Sequence, residues 1–279
     1  MTAAQRQAAD PNVAAEAQLA AFTQALGGVL GGSLAALYLH GSLAHGGFEP
    51  ARSDIDLLAV IHHAPTPAQR VALAQLLLSA SCNPCPIEIS IITALDASLL
   101  RHPVPFEFHY SEAHRDAYAS GRTTLNQRNE AGDPDLVLHV LVARRRGRVL
   151  AGAPSAAWLP NPARVHVADS ILRDLDWAQS LLSAEQAPSP SQQGAQATSI
   201  EQAARYLTTN ALRAVAWARD DVVLSKQEVQ QRAHNYFPAP LTGRLQRALG
   251  GGETISTTEL KAMLDLVDLE LAAVRAHAT

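Results

Sequence analysis

Two carboxylates separated by one residue constrain this chain more than any other feature of its sequence. Asp54 and Asp56 flank Ile55, immediately before the apolar run 57–61. In a strand, residues i and i+2 point to the same face, so the two carboxylates would stand side by side while Ile55 enters the core. Adjacent negative charges repel each other, and carboxylate oxygens are preferred ligands of Mg²⁺. The pattern therefore predicts a strand that begins with a metal-binding pair.

A short turn motif precedes this pair. The apolar run 34–39 leads into His40, Gly41 and Ser42, and a Gly- and Pro-containing turn then leads to Asp54. A Gly-Ser turn at the end of a strand exposes backbone N–H groups and a hydroxyl, which suits the binding of a phosphate. Gly41 and Ser42 are therefore predicted to bind a phosphate group.

A third carboxylate, Glu88, lies within the apolar run 86–93. Period-2 alternation places Ile87, Ile89 and Ile91 on one face of a strand and Glu88 on the other. An unpaired buried carboxylate costs several kcal/mol or takes up a proton, and a metal ion or a reacting hydroxyl would resolve that cost. Glu88 is predicted to bind the metal and to accept the proton of an attacking hydroxyl. Phosphate-binding and carboxylate groups together are typical of phosphoryl or nucleotidyl transfer.

The chain divides into two parts with different patterns of apolar residues. Up to residue 160, helical patterns alternate with apolar runs, and from about 161 apolar residues recur at helical spacing. These patterns predict an α+β fold, in which a mixed sheet with flanking helices over 1–160 precedes an all-α helical bundle over 161–279. The Ser-, Gln- and Pro-rich segment 183–199 predicts a flexible loop within the second domain.

Three local features of the sequence give further expectations. A helix over 12–27 is expected to end at Gly27 and Gly28. The alternating aromatic residues of 103–110 predict one edge strand. The histidines near the predicted site, His40, His45 and His109 among them, have no metal-ligand spacing and receive no role.

Composition limits the class of protein. The chain has 279 residues, 47% of them hydrophobic, which suffices for a core. A net charge of −4 gives no basic field for nucleic acid, and no apolar run reaches the roughly 18 residues of a membrane span. No secretory signal is visible, and Cys82 and Cys85 do not make a disulfide framework. We expect a soluble, cytoplasmic monomer with no nucleic-acid or membrane partner.

The motifs described above resemble those of a known family. Residues 40–58 read HGSLAHGGFEPARSDIDLL. This pattern resembles the G-S-x(10–13)-D-x-D signature of the polymerase-β-like nucleotidyltransferase superfamily. More narrowly, it is similar to the aminoglycoside adenylyltransferases that modify streptomycin and spectinomycin, enzymes of antibiotic resistance. The segments 86–92, 105–111 and 132–136 extend the resemblance. The resemblance implies transfer of AMP from ATP to a hydroxyl of a cationic aminoglycoside, with two Mg²⁺ ions as cofactor.

By this resemblance, Asp54 and Asp56 bind Mg²⁺, Ser42 binds the nucleotide phosphate, and Glu88 is the catalytic base. Two alternatives to an aminoglycoside adenylyltransferase stay open: a different acceptor, and a function without catalysis. An enzyme of the same fold would act on a protein or on another metabolite. A non-catalytic nucleotide-binding regulatory module is the remaining alternative, and it is disfavoured because all three carboxylates are present.

Four further residues receive a role from the resemblance, each with an alternative. Asp135 would lie near the nucleotide, or is a helix-start carboxylate favoured by the helix dipole. Lys226 would contact the triphosphate, or is an exposed first-turn lysine. Glu201 lies near an acidic substrate-binding position, but with Arg205 it also has the i,i+4 spacing of a surface ion pair. Trp177 would stack on the substrate, or serves helix packing.

Overall fold

The computed structural model describes residues 11–50, 52–184, 193–238, 242 and 255–277. The chain divides into two compact units, Met1–Asn161 and Pro162–Thr279. In the described residues, every strand lies in the first unit and the second unit is helical. The predicted class, a mixed sheet with flanking helices followed by a helical region, is confirmed.

Seven strands form a five-stranded sheet and a two-stranded sheet in the first unit. Their bounds are Leu34–His40 (β1), Ile55–Ile61 (β2), Ile87–Thr93 (β3), Val104–Phe106 (β4), Phe108–Tyr110 (β5), Asn129–Asp133 (β6) and Arg148–Gly152 (β7). The large sheet has the order β5-β3-β2-β1-β7, with β2 and β3 parallel and the other neighbours antiparallel. β4 pairs with β6 in the small sheet.

In the first unit, helices alternate with the strands along the chain. In the first unit they are Pro11–Leu30 (α1), Gly41–His45 (α2), Pro67–Ala80 (α3), Ala94–Leu99 (α4), Arg115–Ala119 (α5), Leu136–Arg146 (α6) and Ser155–Trp158 (α7). In the second unit they are Arg164–Ala184 (α8), Gln193–Asp220 (α9), Lys226–Tyr236 (α10) and Thr257–Ala276 (α11). No described helix combines the length and the low polarity that a membrane crossing requires.

Capping explains where several helices begin. Thr66 accepts a hydrogen bond from the backbone N–H of Gln69, the Gln69 side chain accepts one from the Thr66 N–H, and Pro67 occupies the first helical position of α3. Ser225 before α10 and Ser256 before α11 make the same reciprocal pair with a glutamate three residues later. These caps satisfy backbone N–H groups that the first turn of a helix leaves without partners.

Helix α1 extends further than its glycines predict. It continues through Gly27 and Gly28 to Leu30, so the expected end at Gly27 is wrong. Leu26 and Leu30 are buried in the core, at helical spacing from the buried Phe22. Burying a leucine stabilises by about 1.5–3 kcal/mol, which exceeds the cost of about 1 kcal/mol for a glycine within a helix.

The single strand expected over 103–110 is two strands in different sheets. The break is at Glu107, whose side chain is almost fully buried. Its carboxylate accepts hydrogen bonds from Arg70 at 2.5 Å and from Arg128 at 2.8 Å. The chain changes sheets here because this buried charge takes both arginines as partners, whereas Phe106 and Phe108 on either side enter the core.

The second unit is built mainly on three long helices, α8, α9 and α11, that contact one another. The expected loop over 183–199 is too long at both ends, because α8 continues to Ala184 and α9 already begins at Gln193. Residues 193–199 contain no proline and include the helix-forming Gln and Ala, and their one glycine, Gly194, lies in the first turn. The sequence also predicts a helix over 240–249, and almost all of that range, like residues 185–192, lies outside the described residues.

Candidate functional site

Three neighbouring strands bring two of the predicted site residues and one histidine into a row. His40 on β1 is opposite Asp56 on β2, and Asp56 is opposite Glu88 on β3. Residues opposite each other on neighbouring strands share a face, so these three side chains lie on one face of the sheet. The opposite face carries the apolar residues that alternate with them, which pack against α1 and α3: Leu39, Leu57 and Ile89, among others.

Gly41 brings the backbone against one of these carboxylates. Its φ is +64°, and a Cβ atom at this position would lie 1.8 Å from Oδ2 of Asp56. Only glycine fits here, because a side chain would be strained by the positive φ and would overlap the carboxylate. The chain enters α2 at Gly41, and Ser42 is buried beside it.

Asp54 and Asp56 are half-buried, with the buried Ile55 between them. Asp54 precedes the first residue of β2, and Ile55 donates its N–H to the carbonyl of Pro86 at the entrance of β3. Burial raises the pKa of the Cys85 thiol, and the charge of Asp54 raises it further, so Asp54 lies near the start of β3.

Glu88 is half-buried rather than enclosed by its isoleucine neighbours. Ile87, Ile89 and Ile91 face the core as the alternation predicts, which leaves Glu88 on the face that carries Asp56. A carboxylate with this exposure does not need a metal to avoid an uncompensated buried charge. The case for its role is therefore its position beside Asp56, not its burial.

The donor set can be compared with the expected Mg²⁺ site. In the part of the chain that the structure describes, no group of three or more His, Cys, Asp or Glu side chains is arranged to hold a metal ion. Asp56 and Glu88 nevertheless offer carboxylate oxygens from adjacent strands, which lie about 4.8 Å apart in a sheet. Oxygen donors of this type fit Mg²⁺ in their chemistry. The metal-binding roles of Asp54, Asp56 and Glu88 stay predictions.

Histidines surround this row, which the sequence did not predict. The ring of His40 lies 4.9 Å from that of His139 on α6. His40 is 5% exposed, and its Nε2 has no hydrogen-bond partner among the described residues. Burial lowers the pKa of His40 well below its usual value, and His139 and His45 lower it further, so the imidazole is neutral. The sequence does contain one signal for this position of His40: it lies two residues after Tyr38, and therefore on the face of the strand opposite Leu39.

Asp135 lies directly before α6, at the position that caps a helix. Its side chain makes no capping hydrogen bond, and its backbone N–H donates instead to Asp133 at 2.8 Å. Helix α6 contacts β1 and α2. His139, one turn further along α6, is the residue of this helix whose ring contacts His40. A role at the nucleotide stays a prediction.

The other three predicted residues lie in the second unit. Lys226 is exposed as the first residue of α10. Trp177 on α8 is 56% exposed and contacts Tyr206 on α9 edge to face, with ring centroids 6.2 Å apart. This contact joins two neighbouring helices, so it agrees with the alternative of helix packing, while the 56% exposure leaves part of the ring accessible. Glu201 lies in α9, with its side chain outside the described residues. These three belong to a different unit from the carboxylates, and their roles stay predictions.

Comparison with known proteins supports the fold. No protein-family model and no curated protein sequence matches this chain. Among solved structures, it is similar to the spectinomycin adenyltransferase AAD(9) from Enterococcus faecialis, crystallised with ATP and spectinomycin, with a TM-score of 0.65 and 21% identity. The match covers 92% of this chain and 99% of that chain. The resemblance inferred from the motifs is thus confirmed at the level of the fold: this chain has the fold of a spectinomycin adenyltransferase.

Proposed function

We propose that this protein is a nucleotidyltransferase that transfers AMP from ATP to a hydroxyl of an aminoglycoside-type acceptor. The observation that carries the proposal is the row formed by Asp56 and Glu88 on parallel neighbouring strands, with the backbone of Gly41 against Asp56. The fold adds support, because the similar adenyltransferase was crystallised with ATP and spectinomycin.

The nucleotide binds at the end of β1 in this proposal. The backbone of Gly41 and Ser42 and the Ser42 hydroxyl contact the phosphates. Asp135, before the start of α6, would lie near the nucleotide, and Lys226 would contact the triphosphate. A lysine ammonium is suited to that contact because it neutralises phosphate charge without a fixed geometry.

Asp54 and Asp56 would hold Mg²⁺, with Glu88 as a further ligand. The bound metal would neutralise charge on the phosphate oxygens, as it does in other phosphoryl transfers. The close approach of Gly41 keeps the Asp56 carboxylate beside the phosphate-binding turn. Binding of the cation and binding of the phosphates are therefore expected to depend on each other.

Glu88 is the general base of the proposed reaction. Its carboxylate accepts the proton of the acceptor hydroxyl as that oxygen bonds to the α-phosphorus of ATP. The bond between the α-phosphorus and the bridging oxygen breaks, and pyrophosphate leaves with that electron pair. The half-buried position of Glu88 leaves it accessible to an acceptor while the strand fixes its direction.

The helical unit is proposed to bind the acceptor through Glu201 and Trp177. The exposed Trp177 has a carboxylate nearby, because the hydroxyl of its ring partner Tyr206 donates to Asp174 at 2.6 Å. An exposed aromatic face close to a carboxylate attracts a cation. The net charge of −4 is consistent with a cationic acceptor.

The test is incubation with ATP, Mg²⁺ and a panel of aminoglycosides that includes streptomycin and spectinomycin, followed by mass spectrometry. Addition of AMP to a panel member, with release of pyrophosphate, is the expected result. Binding of ATP without transfer to any member would overturn the acceptor assignment. Transfer to a protein or to another metabolite would identify the alternative acceptor class instead.

A further inference from the structure

His109 lies on the face of the sheet that carries Glu88, one strand further towards the edge. β5 pairs with β3 so that His109 is opposite Ser90, and Ser90 follows Glu88 by two residues. Glu88, Ser90 and His109 therefore share a face. The neighbours of His109 in β5, Phe108 and Tyr110, are buried in the core on the other face.

Hydrogen bonds hold His109 on both its backbone and its ring. Its Nδ1 lies 2.9 Å from the hydroxyl of Ser90, which is 1% exposed. Its N–H donates to the carbonyl of Leu125 at 2.9 Å, and the Tyr118 hydroxyl donates to its carbonyl. The ring of His114 contacts the imidazole edge to face, at 5.6 Å. The imidazole therefore has one fixed direction.

The second ring nitrogen of His109 is available. Among the described residues, none makes a hydrogen bond to Nε2, and the side chain is half-buried rather than enclosed. Burial lowers the pKa of His109, although the charges of Glu88 and Asp133 act in the opposite direction. A hydroxyl group both donates and accepts, so it can pair with Nε2 in either neutral tautomer.

The order of the strands gives the two sides of Glu88 different surroundings. Asp56 and the Gly41 turn lie on the β2 and β1 side of Glu88. Ser90 and His109 lie on the β3 and β5 side. In nucleotidyl transfer the attacking and leaving oxygens are on opposite sides of the phosphorus. If the nucleotide occupies the Asp56 side, the acceptor reaches Glu88 from the side of His109.

We propose that His109 is an acceptor-binding residue, whose Nε2 hydrogen-bonds the acceptor next to the hydroxyl that loses its proton to Glu88. Ser90 is its positioning residue, because it holds Nδ1 and does not itself reach the acceptor. The inference rests on the proposed nucleotidyl transfer, and it adds a residue of the sheet to those proposed to bind the acceptor.

Two substitutions of His109 distinguish the contribution of Nδ1 from that of Nε2. The amide of asparagine reaches the place of Nδ1, and that of glutamine reaches the place of Nε2. With spectinomycin and streptomycin as acceptors, His109→Asn is expected to raise the acceptor KM about tenfold, the factor for one hydrogen bond of ordinary strength. The KM for ATP stays unchanged, and His109→Gln recovers most of the acceptor affinity.

Ser90→Ala and His63→Asn complete the experiment. Ser90→Ala keeps the packing but frees the ring, so it raises the acceptor KM in the same direction by a smaller factor. His63 is exposed at the far end of β2, and its substitution is the matched control without effect. Thermal melting of each variant reports on folding, and His109→Gln keeps the inference testable if His109→Asn does not fold.

The possible failures are distinguishable. If the wild-type protein transfers AMP but His109→Asn raises both KM values equally, or matches His109→Gln, the inference about His109 is overturned while the proposed function stands. If the wild-type protein transfers AMP to neither drug, the proposed acceptor and this inference are both overturned. The first failure is visible only in the variants, and the second in the wild-type protein.

Discussion

At the residue scale, Gly41, Asp56 and Glu88 act as one arrangement. The positive φ of Gly41 turns the chain out of β1, and the absence of a side chain allows the backbone to approach the Asp56 carboxylate. The parallel register then places Glu88 beside Asp56. Each residue of this group depends on the backbone of another strand, so a change at one is expected to act through the others.

Glu88→Gln tests the proposed base. The amide keeps the size of the side chain but cannot accept the proton, so AMP transfer is expected to fall by about 10²–10⁴-fold. ATP binding, measured by calorimetry, is expected to be largely retained. Glu16→Gln is the control, because Glu16 lies on α1 and pairs with Arg148. Unchanged turnover in Glu88→Gln would remove Glu88 from the mechanism.

Glu112 gives a prediction about pH. Burial alone would raise the pKa of its carboxyl, but hydrogen bonds from Arg115, Ser81 and Tyr110 lower it to about 2, from 4.5. A lowered pKa in the folded state contributes stability that is present above pH 4.5 and is lost as the pH falls towards 2. Glu112→Gln is therefore expected to melt below the wild-type protein at pH 7.

The difference in melting temperature between Glu112→Gln and the wild-type protein is expected to shrink at pH 3. At that pH the unfolded wild-type chain binds a proton that the folded carboxyl does not, so the charged group no longer stabilises the fold fully. Calorimetric melting of both proteins at the two pH values measures the difference. An equal difference at both would show that Glu112 stabilises through packing rather than through its charge.

At the scale of single elements, burial decides where α1 ends. The helix includes two glycines because Leu26 and Leu30 reach the core, and it ends where Gly31 takes a φ of +54°. At both Gly27 and Gly28, the place that a Cβ would occupy has no neighbouring atom within 4 Å. Both glycines therefore cost helix stability without serving a close contact.

Gly28→Ala is expected to stabilise the protein by about 0.4–1 kcal/mol, because alanine restricts the unfolded chain and favours the helix. Chemical denaturation measures the change. Gly31→Ala is the matched control, since it has equal space but a positive φ, and it is expected to destabilise. Equal effects of the two substitutions would show that backbone conformation does not separate these glycines.

At the scale of the whole molecule, ligand binding should be measurable as stability. ATP with Mg²⁺ is expected to raise the melting temperature. At a ligand concentration 100 times the Kd, binding adds about 2.7 kcal/mol to the free energy of unfolding. Asp56→Asn is expected to lose the part that depends on Mg²⁺, because it removes a carboxylate of the metal pair. Thermal shift with ATP, with and without Mg²⁺ or EDTA, measures both effects.

A thermal shift by ATP that is equal with Mg²⁺ and with EDTA would contradict the metal-binding role of the two aspartates. RNA, tested in the same panel, is expected to give no shift, since the net charge of −4 provides no general attraction for a polyanion. A shift by RNA would favour a different class of partner.

Features that depend on neighbours along the chain could be predicted from the amino-acid sequence. The strand around Glu88 follows from alternation, and the strand that contains Asp56 follows from its apolar run. The start of α3 is set by the Thr66 cap and by Pro67, and α11 by its Ser256 cap. These elements could be predicted because period, capping and turn residues act within a few positions.

Features that depend on contacts between distant residues became clear from the folded chain. The register that places His40, Asp56 and Glu88 in one row is set by pairing between strands, and no local pattern encodes it. The continuation of α1 through its glycines and the break at Glu107 both depend on burial against other elements. His109 had no visible role until β5 placed it opposite Ser90. Local propensity is worth about 1 kcal/mol or less per residue, so packing and pairing override it wherever they conflict.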